Sequence, residues 1–351
     1  MRTCSAAPQI VWLRSGAAGA AGPPDAAAPN VLSTPARRGA AIDVGTNSVR
    51  LLVADIPVRT PETTTPSPAG PAPGPILRPV LRRLSITRLG EGLDVSNAIR
   101  PEAAARTAAA VEEFAAAAGG LGAPNPVVLA TYALRTARNP QELLSRLKRP
   151  VRVLSGEEEA RLGFTGAVAA LAPRSAASGE FVLDIGGGSI ELTWGTLRGI
   201  EDTHSFPLGC VLLTHRFLAH DPPEPGEVAA LESYVDETLA PALARLRDAS
   251  RDLVGVGGTI TTLAAIDQRL EPYDPDKVQG HRLSAERVRA LLVELRGRPL
   301  AARRTMPGLQ PERADVIIAG ALVLQRVLEL LGASAIRASE ADMLWAVLLG
   351  C

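Results

Sequence analysis

Two stretches of this chain spell the same turn. Val182–Trp194 reads VLDIGGGSIELTW, and 141 residues earlier Ala41–Val53 reads AIDVGTNSVRLLV. Asp43 falls on Asp184, Gly45 on Gly186, Ser48 on Ser189, Val49 on Ile190 and Leu51 on Leu192, with no gap. In the second copy Val182, Leu183 and Ile185 around Asp184 read as a buried strand, Gly186, Gly187 and Gly188 as a tight turn, and Ile190–Trp194 as the returning strand. A hairpin of this kind holds a carboxylate at a strand end and presents backbone N–H groups at the turn, where they can take a phosphate. One Gly-rich hairpin is equally well explained as a structural turn. An ungapped second copy points to a duplicated domain, each half offering one loop to a shared cleft.

Composition narrows the function classes. The 351 residues suffice for two domains with sizeable cores. Lys+Arg and Asp+Glu both number 37, so no global field attracts nucleic acid or a membrane surface, and neither DNA nor a bilayer is expected as a partner. Only Lys148 and Lys277 are lysines; the other cations are arginines, which suit bidentate phosphate contacts although a coding bias explains them as well. Cys4, Cys210 and Cys351 are odd in number and far apart, neither a disulfide framework nor a zinc site, which fits a reducing, cytoplasmic compartment. No apolar run approaches the roughly 20 residues of a membrane span.

Along the chain, residues 1–39 are rich in Ala, Gly and Pro without periodicity and are expected to be a disordered tail. Strands follow at 40–46 and 48–56, then a Pro-rich insert at 57–75 that reads as a mobile loop, then a strand over 77–89. A helix starts at Pro101 and stops at Gly119–Gly120; a strand covers 127–131 and a helix about 140–149. After a short strand at 151–154, Ser155 and Glu158 stand at capping-box spacing and open a helix to about Ala170. The order β-β-β-α-β-α-β-α marks an α/β domain over 40–170. A second spans 171–336, with strands at 181–185, 190–197, 200–206 and 252–256 and helices at 225–249, 260–270, 284–297 and 311–331. The helix at 340–349 is expected to pack back on the first domain.

These stretches resemble the exopolyphosphatase/guanosine pentaphosphate phosphatase (Ppx/GppA) family, in its short two-domain form. The resemblance runs over about 40–351 and rests on AAIDVGTNSVRLLVADI, ATYALRTARN, SGEEEARLGFTGAV, VLDIGGGSIEL and LGCVLLTHRFLAHDPP, with support from VGVGGTITTLAAI and PERADVIIAGALV. It implies an α/β fold of two duplicated actin-like, ribonuclease H-like domains (the sugar kinase–Hsp70–actin superfamily) flanking a cleft. It also implies a phosphohydrolase acting on inorganic polyphosphate or on the 5′ γ-phosphate of guanosine pentaphosphate (pppGpp), and suggests a homodimer. SGEEEARL just ahead of the second loop argues against the ATP-using kinases of the superfamily. A non-catalytic polyphosphate or alarmone binder is the third reading.

By residue, Glu157–Glu159 sit in a helix first turn, where carboxylates are favourable by about 0.3–1 kcal/mol without any function. The resemblance makes Glu159 the catalytic glutamate, the base that activates a water. Thr46, Asn47 and Ser48 with Gly186, Gly187, Gly188 and Ser189 offer amide and hydroxyl donors to phosphate, and Arg135 matches the family's phosphate-contacting arginine. Asp43, Asp184 and Glu191 are oxygen ligands of the type Mg²⁺ prefers, although a strand-end aspartate can also simply tie its turn. Glu191 aligns with Arg50, so the copies have diverged to one acid and one base there. Gly257, Gly258 and Thr259 open a helix and are expected at an anion or a guanosine. The chain departs from the family pattern at Ile190, where threonine is usual, and at Thr136, where aspartate is frequent.

Overall fold

A computed structural model describes residues 9–13, 36–58, 77–171, 179–196, 199–244 and 253–350. Its first sheet contains β1 (Gln9–Leu13), β2 (Ala36–Val44), β3 (Ser48–Pro57), β4 (Arg78–Ile86), β5 (Val127–Ala130) and β6 (Arg152–Val153), in the order β1-β4-β3-β2-β5-β6. The second contains β7 (Glu180–Ile185), β8 (Ile190–Thr196), β9 (Gly199–Phe206), β10 (Leu253–Val256), β11 (Arg282–Ser284) and β12 (Ala335–Ala338), in the order β11-β12-β10-β7-β8-β9. The duplication holds at the level of topology. β2 pairs antiparallel with β3 and parallel with β5; β7 pairs antiparallel with β8 and parallel with β10. Asp43 faces Arg50 across the first ladder, and Asp184 faces Glu191 across the second. The architecture is the actin-like α/β fold.

Several boundaries move. Gln9–Leu13 is a strand, paired antiparallel to β4, and β2 begins at Ala36, so the expectation of a structureless 1–39 fails in both places. The β-branched and aromatic run Ile10, Val11 and Trp12 gives that segment enough strand character to extend an open sheet edge. The expected loop at 57–75 lies outside the described residues beyond Val58. The segment expected as one helix from Pro311 splits into a 3₁₀ turn, Pro311–Arg313, and a helix, Ile317–Leu331. The expected helix at 140–149 shortens to Gln141–Leu144, with a further helical turn at Tyr132–Thr136.

Two helices cross between the sheets, each leaving its own copy. Gly156–Ala170, at the end of the first repeat, lays Phe164, Ala167 and Val168 on Val182, Val254 and Val256 of the second sheet. Met343–Leu349, at the end of the second repeat, lays Leu344, Trp345 and Leu348 on Ala41, Leu52, Ala54 and Ile56 of the first. A division at residue 170 keeps the first crossing helix with the first repeat, where Leu162 meets Leu129 and Leu154, while its other face packs on the second sheet. Burial of its apolar stripe, not its place in the chain, decides which sheet it joins. The two helices also touch each other through Gly166, where an added Cβ would stand 1.8 Å from the carbonyl oxygen of Asp342. Backbone cannot yield as a side chain tip does. Gly166→Ala is expected to destabilise the fold by about 1–3 kcal/mol, read as a lower urea midpoint at unchanged slope.

Candidate active site

The site is built from both hairpins. Gly45 N–H donates to Ser48 C=O at 2.9 Å, and Gly186 N–H donates to Ser189 C=O at 3.0 Å, so the same closed turn follows β2 and β7. The two turns abut. A Cβ on Gly188 would stand 2.3 Å from Tyr132 Cδ1 and 2.5 Å from Thr46 Oγ1, a separation that only glycine permits. Behind the second turn, helix Cys210–Phe217 begins by donating Cys210 N–H to Gly186 C=O at 3.0 Å and Val211 N–H to Gly187 C=O at 2.9 Å. A planar trans peptide points its C=O and N–H in opposite directions, so the amides of Gly187 and Gly188 face away from that helix. LGCVLLTHRF thus orients the loop's donors.

One cavity of about 140 Å³ joins these parts. Thr46, Asn47, Ser48, Gly186, Gly187, Gly188, Ser189, Asp43, Asp184, Glu159, Gly257, Gly258 and Thr259 all border it; Glu191 and Arg135 do not. On a scale where one water position takes about 10–15 Å³, the space accommodates a few phosphoryl groups with their solvent.

Glu159 reaches this cavity because its helix packs on the second sheet. Ser155 caps that helix by accepting from Glu158 N–H at 3.1 Å, and the Glu158 carboxylate accepts in return from Ser155 N–H at 2.8 Å. The cap consumes Glu158 and leaves Glu159 pointing inward, with its side chain 12% exposed. Arg135 Nη1 donates to Glu159 Oε2 at 2.9 Å and to Leu154 C=O at 2.8 Å. Burial pushes the Glu159 carboxyl up to about 7; Arg135 pulls against the rise, and Asp184 and Asp43 add to it. Burial likewise pushes Asp184 up to about 7, with Arg50 opposing and Asp342 and Asp43 adding. Arg135, expected on phosphate, does not border the cavity and donates to the glutamate.

Glu191 lies behind the cavity. It accepts from Ser205 Oγ at 2.8 Å, and burial, then the nearby Glu159 and Asp184, hold it well above the usual carboxylate range. The divergence at its repeat position has a structural meaning. Arg50 donates Nε to Asp43 Oδ2 at 2.9 Å, Nη2 to the same oxygen at 2.6 Å, and Nη1 to Asp342. In the second half, two acids sit opposite a helix acid, Glu159; in the first half, an acid and an arginine sit opposite the helix N-cap acid, Asp342. Asp342, Arg313, Glu340 and Tyr273 also border the cavity and escaped the sequence reading. Asp342 carried no signal beyond N-cap spacing before MLWAVLL, and Arg313 only its place in PERADVIIAG.

Three described His, Cys, Asp or Glu residues nowhere converge tightly enough to hold a metal alone. Mg²⁺ commonly takes only one or two carboxylates and completes its shell with waters and phosphate oxygens. The donor set suits that mode: Asp184 borders the cavity, and Asp43 Oδ1 is buried without a hydrogen-bond partner.

Residues 71–344 match the Ppx/GppA phosphatase family. The chain belongs to this family. It is 35% identical over 321 residues to exopolyphosphatase 2 of Mycobacterium tuberculosis, covering 88% of this chain and 96% of that protein. It is 32% identical to exopolyphosphatase 1 of Mycobacterium bovis, covering 84% and 82%. A solved Ppx/GppA family member from Aquifex aeolicus superposes with a TM-score of 0.72 at 28% identity, over 90% of this chain and 97% of that one. A solved exopolyphosphatase-like protein superposes with a TM-score of 0.79 at 30% identity, over 90% and 97%. The protein is a hydrolase of the phosphatase type, and no described helix is long and apolar enough to cross a membrane.

Proposed function

We propose that this protein releases the terminal phosphate of inorganic polyphosphate, with Glu159 as the general base. The observation that carries this reading is the buried Glu159 carboxylate, oriented by Arg135 and bordering one cavity with both phosphate loops. The terminal phosphoryl group seats between Thr46–Ser48 and Gly187–Ser189, whose amides and hydroxyls take its oxygens. A water held by Glu159 attacks the terminal phosphorus in line with the bridging oxygen. The new P–O bond forms, Glu159 takes the proton, the bridging P–O bond breaks, and the shortened chain leaves as the anion. A base with a pKa near 7 suits neutral pH, and charge neutralisation supplies most of the remaining barrier reduction. Asp184 and Asp43 would hold Mg²⁺, which when bound neutralises charge on the phosphate oxygens. The exopolyphosphatases among its relatives support the substrate class. The 5′ γ-phosphate of pppGpp ends in the same group, and the Gly257–Thr259 helix start borders the same cavity.

Phosphate release measured side by side with long polyphosphate, pppGpp and ATP tests the reading. Release is expected from polyphosphate without any acceptor. ADP formed only with an added acceptor would make the protein a kinase, and tight binding of polyphosphate without release would make it a binder.

A further inference from the structure

Each phosphate loop is backed by an element that reaches across to the opposite lobe. The first loop rests on the turn after β4. Thr87 N–H and Arg88 N–H both donate to Asn47 C=O, at 3.0 and 2.9 Å, and Gly90 N–H donates to Thr46 C=O at 2.8 Å. A Cβ on Gly90 would stand 2.2 Å from Thr46 Cγ2, so turn and loop are in direct contact. Arg88 itself is left-handed, at φ 52°, a region that a long side chain occupies only when its surroundings impose it. From that backbone its guanidinium Nη2 crosses to Asp315 Oδ2 at 2.7 Å. Asp315 belongs to the second lobe, between the 3₁₀ turn that carries Arg313 and helix Ile317–Leu331. The second loop is backed by helix Cys210–Phe217, and His215 of that helix stands 3.9 Å from Asp94 of the first lobe.

We propose that Arg88 and Asp315 form a clasp that closes the lobes over the substrate, and that Arg88 is a positioning residue for phosphate release. Three features separate this pair from an ordinary surface bridge. It joins the two repeats and not neighbours in one element. Its arginine is tied through its own backbone N–H to the carbonyl of Asn47, a residue that borders the cavity. Its aspartate has the other oxygen, Oδ1, buried without a partner, so Asp315 is committed to this one contact. Closing the clasp fixes the Thr46–Ser48 loop against Gly187–Ser189. Opening it leaves the two halves of the phosphate site on separate bodies. Substrate that touches both loops favours the closed form, so the clasp acts on apparent affinity more than on the chemical step.

The kinetic part of this inference rests on the proposed polyphosphatase activity; the structural part does not. The test is a double-mutant cycle on the full chain with Arg88→Ala, Asp315→Asn and the pair together, read two ways. Hydrogen exchange of the substrate-free protein is expected to rise about three- to fivefold at residues 45–48 and 186–189 in each single variant, the scale of one partly exposed ion pair. With long polyphosphate as substrate, KM is expected to rise by a similar factor while kcat stays within about twofold. The double variant is expected to be no worse than either single one, because both remove the same contact. Additive effects, or unchanged exchange at both loops in Arg88→Ala, would overturn the clasp. If the wild type does not hydrolyse polyphosphate, the exchange cycle still decides the clasp, and only the activity reading falls.

Discussion

Replacing Glu159 by glutamine is expected to slow phosphate release by a factor of about 10²–10⁴, the usual contribution of a positioned general base. Polyphosphate binding should stay within about twofold of wild type, because the loop donors that take the phosphate oxygens are untouched. Glutamine keeps the shape and the acceptor oxygen facing Arg135 Nη1, so the geometry at 2.9 Å has no reason to collapse. What it loses is the ability to take a proton. The same assignment fixes the pH dependence. A base must be ionised to act, so kcat/KM should rise with pH through the region near 7 to which burial pushes Glu159. Arg135 favours the ionised form, so Arg135→Gln should move that limb to higher pH. Stopped-flow phosphate release and a pH–rate series check both. Wild-type turnover in Glu159→Gln would remove this residue from the chemistry.

The second large effect concerns Asp184. Its folded pKa is raised to about 7 by burial. The native state therefore holds a proton that the unfolded chain has already lost between the ordinary carboxylate range and about pH 7. Stability of the metal-free protein should fall as pH rises through that window, because the native state binds more protons than the unfolded one there. Asp184→Asn removes the buried charge. At pH 8 in EDTA this variant is expected to melt several degrees above wild type, at roughly 2–4 °C per kcal/mol for domains of this size. Added Mg²⁺ should reverse the order: it raises the wild-type Tm by mass action, and leaves Asp184→Asn unmoved. Phosphate release by the variant should be lost. An equal Mg²⁺ shift in both proteins would take Asp184 out of the metal site.

The two halves of the site are unequal for a reason visible in their ladders. Asp43 and Asp184 occupy the same position in copies of one hairpin, yet the cross-strand partner is Arg50 in one and Glu191 in the other. Arg50 satisfies Asp43 and Asp342 together, and those acids, with Asp184, outweigh the burial that opposes its charge. The first half thereby sets one arginine against its two acids. The second half keeps three acids, Glu159, Asp184 and Glu191, close together in a buried setting. Excess negative charge there invites a cation and raises the pKa of a base, both of which water-driven phosphoryl transfer requires.

Much of this was legible in the amino-acid order. The ungapped echo of Asp43–Leu51 in Asp184–Leu192 revealed the duplication, because a strand–turn–strand hairpin closed by the same glycine and serine keeps its spacing when copied. The capping box at Ser155 and Glu158 placed Glu159 in a helix first turn, since capping is a contact between near neighbours. Local rules of this kind carry their meaning within a few residues. Four features needed the fold. Helix Gly156–Ala170 joins the second sheet, which is what brings Glu159 to Asp184. Arg135 serves the glutamate, Asp342 reaches Arg50 from 292 residues away, and Arg88 spans the lobes to Asp315. Each is a pairing between segments distant in the chain, set by which apolar faces bury against each other, and no local pattern of residues encodes it. The repeated hairpin announced that two matching turns face one cleft; only the packing of the crossing helices decided which acid stands between them.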